Sequence, residues 1–79
     1  MTELKKEYIK MRNNNKFDSN WFYQYYLEKG GLYVDVNNFQ MLFRTITMNG
    51  INDVLNFIDK SFGLTILFNK ENKVIKVVE

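Results

Sequence analysis

For chemistry this 79-residue chain has nine carboxylates, eleven cationic side chains and a stock of amides and aromatic rings, with no histidine and no cysteine. Without imidazole or thiol it has no side chain whose ordinary titration falls near neutral pH, no thiolate nucleophile, no Cys/His zinc site and no disulfide. Three of the carboxylates have local explanations: Asp18 as a helix cap, Asp53 in a helix first turn where negative charge suits the dipole, and Glu71 in a hairpin tip. Asp35 and Asp59 are the pair that could approach in space. No second functional group or glycine-rich phosphate loop stands ready to complete a hydrolytic or phosphoryl-transfer site with them. The expectation is a non-catalytic protein that needs no metal and no cofactor.

Recognition is the remaining chemistry, and two sets of residues could carry it. Met41, Arg44 and Met48 fall on one stripe of a helix, opposite its core stripe, and Phe57 lies about 120° off the core direction of the next helix. Methionine adapts to irregular surfaces, and arginine tolerates desolvation when paired, so these four residues read as a protein-docking face. The bland alternative is that the first helix covers Met41 and Met48. The second set is Asn52 and Asn56, whose amides can read adenine, with Lys70, Lys73 and Lys76 attracting phosphate. Against this DNA-binding alternative, the outward positions around residues 52–61 include Asp53 and Asp59 and sum to −1 with Lys60. Net charge is +2 overall, as +3 over residues 1–16, −2 over 17–36, zero over 37–62 and +1 over 63–79.

The elements that must position these residues follow from hydrophobic spacing and punctuation. Leu4, Tyr8 and Met11, with Ile9 beside them, predict a helix over 3–12 that carries Lys5, Lys6, Lys10 and Arg12 outward. Asn13, Asn14 and Asn15 form a loop. Asp18 caps a helix over 19–29 with Phe17 and Phe22 as a hydrophobic staple, and Gly30 and Gly31 stop it. Trp21, Phe22, Tyr23, Tyr25, Tyr26 and Leu27 cover most of that helix's circumference, so it is either sandwiched or keeps an aromatic edge free. Leu32–Val36 reads as a short strand.

A third helix opens at Asn37 or one residue later, with Gln40 as the partner of an Asn cap and Val36 stapled to Met41; Phe39, Leu42, Phe43 and Ile46 form its core stripe. Asn49 and Gly50 end it. Asn52 caps a fourth helix that buries Val54, Leu55, Ile58 and Phe62 and stops at Gly63. Leu64–Phe68 and Lys73–Val78 close the chain as a hairpin around a polar four-residue loop. Trp21, Phe39, Phe43, Leu55 and Ile58 are the expected core.

From residue 18 on, this is the element order of a winged helix: helix, short strand, helix-turn-helix and two-stranded wing. The fold expectation is therefore a single α+β domain over 1–79, with residues 1–16 as an N-terminal amphipathic helix and Asn-rich loop and 17–79 as a winged-helix-like core. Four short helices packed on a hairpin in another α+β arrangement is the alternative. Asn, Lys, Ile, Phe and Tyr make up 38 residues while Ala and Pro are absent, the signature of an A/T-rich gene. That composition suits a phage or mobile element. The first sixteen residues lack the apolar core of a targeting segment, and no run reaches membrane-span length. The sum of these readings is a small regulator or inhibitor in the cytoplasm of a bacterial host cell, binding a host or regulatory protein, with DNA as the alternative partner, no membrane partner, and homodimerisation allowed.

Overall fold

In the computed structural model, which describes residues 2–31 and 35–79, three helices pack with a two-stranded antiparallel hairpin: α1 (Glu3–Asn13), α2 (Ser19–Glu28), α3 (Val36–Ser61), β1 (Thr65–Phe68) and β2 (Val74–Val78). Leu32, Tyr33 and Val34, the body of the expected strand, lie outside the described residues. Its last two residues are not strand. Asp35 is the N-cap of α3, accepting from the Asn38 backbone N–H at 2.9 Å and from the Asn38 amide at 3.0 Å, and Val36 is already helical. A carboxylate two residues upstream thus takes the capping role expected of Asn37, and Val36 and Met41 are exposed rather than stapled.

Each helix ends by the same device. In α2, Gly30 adopts φ 87°, its N–H bonds the Leu27 carbonyl at 3.1 Å, and the Gly31 N–H reaches back to the Tyr26 carbonyl at 2.9 Å. These are the paired bonds of a Schellman motif, which satisfies carbonyls that the helix leaves orphaned. Gly63 repeats it after α3, with Leu64 bonding Asp59. At α1 the left-handed position is Asn15, φ 55°, with Lys16 bonding Met11 at 3.0 Å. The break between the two expected helices of residues 37–61 is reduced to one residue. Gly50, at φ 153° and ψ 59°, interrupts an otherwise continuous α3, and Asn52 lies inside the helical run instead of capping it.

The core is aromatic. Tyr8, Trp21, Phe22, Tyr25, Phe39, Leu55, Ile58 and Leu64 are buried together, with Phe43 half-buried at the margin. The Phe17 and Phe22 rings meet at 5.3 Å, the spacing of the expected staple over the Asp18 cap, whose carboxylate accepts from Asn20 N–H at 2.8 Å. Helix α2 is sandwiched between α1 and α3. Its Trp21 stacks on Tyr25 at 5.2 Å and donates its indole N–H to the Leu4 carbonyl at 2.9 Å. Tyr25 is tied to α3 through Ser61 at 3.2 Å. Leu42, expected in the core, is exposed. The molecule is a slab 17 Å thin, and among the described residues nothing buries Met41, Leu42 or Met48 on the outer side of α3.

In the hairpin, Phe68 pairs with Val74 and Leu67 with Lys76, which leaves Ile75 as the extra residue of a β-bulge. Side chains alternate strictly along a regular strand, so Val74 and Val77 would face opposite sides; the bulge lets both serve the core, while Ile75 is exposed. Asn15 holds this distortion in place. Its amide oxygen accepts from the Val74 N–H at 2.8 Å and its amide nitrogen donates to the Val74 carbonyl at 3.4 Å, as a neighbouring strand would. Asn15→Ala should therefore lower stability by about 1–3 kcal/mol through unpaired buried backbone and a strained left-handed residue. Asn15→Gly, which keeps the backbone conformation, should lose less. Thermal unfolding of the two variants measures the difference.

Candidate functional site

Spacing puts an arginine and an aspartate on the two apolar stripes that meet at the centre of the molecule. Arg12 is four residues beyond Tyr8 and eight beyond Leu4, on the face α1 turns inward; Asp59 continues the stripe of Leu55, Ile58 and Phe62 at i, i+3, i+4 and i+7. They are 7% and 6% exposed, which corrects the expectation that both face solvent. Arg12 Nη2 donates to Asp59 Oδ2 at 3.2 Å, and the Tyr8 hydroxyl donates to Asp59 Oδ1 with the Leu55 carbonyl oxygen 3.2 Å away. Burial, reinforced by the hydrogen bond to Asp59, raises the Tyr8 hydroxyl well above the ordinary tyrosine range. The cluster is structural: its carboxylate is consumed by two donors. Asp35, exposed at the α3 cap, forms no pair with Asp59.

Removing one member of such a pair strands the other charge in the core, whereas replacing both by apolar groups can cost little. Asp59→Ala should cost about 3–5 kcal/mol in chemical denaturation, and Arg12→Met combined with Asp59→Leu should recover most of that. Tyr8 supplies a pH signature. An unfolded tyrosine ionises near about pH 10, while the folded chain keeps Tyr8 protonated beyond that. Its contribution is therefore complete below about pH 10 and falls as pH rises further, by about 1.4 kcal/mol per unit, because the unfolded chain releases a proton that the folded one retains. Stability measured across that range should fall less steeply for Tyr8→Phe.

Around this core, the residues expected to act in recognition divide among three depressions and the exposed hairpin. Met41, Arg44 and Met48 line a shallow depression of about 220 Å³ with Thr45. Met41 is 67% and Met48 81% exposed, so α1 does not cover them. Arg44 has no ion pair among the described residues. Phe57, 68% exposed, belongs elsewhere: it lines an apolar groove of about 510 Å³ with Phe22, Tyr25, Tyr26, Val54 and Ile58. The four residues expected on one docking face are therefore not gathered in one depression.

Asn52 and Asn56 are brought together in a third depression of about 300 Å³, whose other lining residues are Arg12, Leu55, Phe68 and Asn72. Lys70, Lys73 and Lys76 are exposed on the hairpin and outside it. With Asp59 withdrawn into the core, the exposed charges of the second half of α3 are Asp53 and Lys60, which cancel. The net negative face expected there is absent. Arg12, Phe68 and Asn72 are recognition candidates that sequence spacing did not single out, since they join the asparagines only when α1 and the hairpin tip fold against α3.

Among the described residues no cluster of acidic side chains is arranged to hold a metal ion, and no helix is long and apolar enough to cross a membrane. Compared with protein-family models, with curated proteins and with solved structures, the chain matches none.

Proposed function

We propose that this chain is a non-catalytic binding module whose first partner is a protein, docked on the outer side of α3 through Met41, Arg44 and Met48. The observation that carries this reading is the exposure of two methionines beside an arginine that forms no ion pair among the described residues. Polarizable, rotatable side chains adapt to a partner's surface, and a central arginine gains from a carboxylate brought to it as water leaves. The matching surface is apolar with an acidic group opposite Arg44. Phe57 forms a separate anchor at the aromatic groove. In this reading the chain has a winged-helix arrangement used for protein contact, and it acts as a regulator or inhibitor encoded by a phage or mobile element, inside a bacterial cell.

A second reading, duplex DNA bound through Lys70, Lys73 and Lys76 with Asn52 and Asn56 facing the bases, is favoured by the burial of Asp59, which lifts the electrostatic objection from the second half of α3. Capture from a host lysate with and without nuclease identifies the class of partner. For the protein reading, Met41→Ala, Arg44→Ala and Met48→Ala should each weaken the isolated complex by about 1–3 kcal/mol in calorimetry with little change in melting temperature. Under the duplex reading those changes are silent, and the three lysine-to-alanine changes are the damaging ones, each lost phosphate contact flattening the salt dependence by about 0.9.

A further inference from the structure

The depression that gathers Asn52, Asn56 and Asn72 sets the exposed Phe68 ring and Arg12 beside the two asparagines expected to read adenine, a stacking surface that neither reading above uses. We propose that it binds a single unpaired nucleobase, adenine above the others. Three asparagine amides supply paired donors and acceptors, the combination that matches an adenine edge at N6 and N7. Phe68 supplies the ring: it is 48% exposed, and the Arg12 guanidinium lies 5.8 Å from its centroid. Aromatic rings stack any base face, and a guanidinium adds to such a stack.

Charge and size narrow the ligand. Arg12 is already neutralised by Asp59, so the depression carries no free charge for an anion, and the recognised group is neutral, planar and polar. Arg12 Nε is buried with no hydrogen-bond partner among the described residues. Lys70 and Lys73 share with Asn72 the turn between β1 and β2, where Glu71 offsets one of the two charges and leaves a net +1. They favour a ligand that carries phosphate beside its planar group, as a nucleotide does and a neutral sugar does not. A volume of about 300 Å³ is at the small end of ligand sites and suits one base rather than a base pair. A duplex would offer the same asparagines only stacked edges, so strandedness separates this proposal from the duplex reading.

The test is calorimetric titration of the full chain with adenosine monophosphate, with a short single-stranded oligodeoxyadenylate, and with the same oligonucleotide paired to its complement. The single strand should bind more tightly than the duplex. Asn56→Ala and Phe68→Leu, the latter keeping apolar bulk in the hairpin, should each weaken it about tenfold at unchanged melting temperature. Equal binding of the mononucleotide and the oligonucleotide assigns the site to a free nucleotide; binding of the oligonucleotide alone assigns it to an unpaired strand. The proposal is overturned if no probe gives heat, if the duplex binds at least as well as the single strand, or if both variants bind like the parent while Lys70→Ala with Lys73→Ala abolishes binding.

Discussion

The buried contact of Arg12 with Asp59 and Tyr8 is the constraint on which the rest of the molecule depends. It joins the last turn of α1 to the last turns of α3 across 47 residues of chain. Taking two charges out of water costs several kcal/mol per ion, so the pair tolerates few alternatives: the helices meet where both partners are satisfied, or they pay the full penalty. Trp21 and Tyr25 then fill the angle between α1 and α3, each with its polar end bonded, to Leu4 and Ser61 respectively. Residues 1–16 are thus not an appendage to a core formed by the remainder. Tyr8, on α1, is fully buried at its centre.

The hairpin is held by the same end of α1. Asn15 terminates the helix in a left-handed conformation and uses its side chain to occupy the backbone of Val74. One residue therefore stops α1, turns the chain, and fixes the bulge that brings Val74 and Val77 to the core. At the other end of the hairpin, the Asn69 side chain accepts from the Glu71 and Lys73 backbone at 2.9 and 3.0 Å, and Asn72 takes φ 62°. Asparagines that a biased composition makes abundant have become the devices that close turns, for the reason that a short amide competes well for nearby backbone and tolerates positive φ.

The proposed recognition surface is thus separate from the contacts that hold the fold. The charge pair and aromatic cluster fix α1, α2, the second half of α3 and the hairpin, while the outer side of the first half of α3 is left with exposed methionines. At a radius of gyration of 12.8 Å, against about 11.6 Å for a compact chain of this length, the slab spends apolar surface on solvent that a thicker domain would bury. Large apolar side chains in that position carry little of the fold and are available for binding.

The local elements were legible in the residues themselves. The Asp18 cap with its Phe17 and Phe22 staple, the glycine stops after α2 and α3, the Asn13 to Asn15 turn, the hairpin and the burial of Trp21, Phe39, Leu55 and Ile58 each follow from interactions within a few residues, or from one periodic stripe. The cap of α3 was misplaced because Asp35 and Asn37 are both competent caps, and nothing local ranks them. Arg12 and Asp59 were misassigned for a deeper reason. A charged residue on an apolar stripe is unstable there alone, and only the arrival of an opposite charge from a distant helix makes burial the lower free energy. In the same way the depression over Arg12 exists only once α1, α3 and the hairpin tip converge. Spacing along one helix determines which residues share a face, and the tertiary structure decides what that face meets.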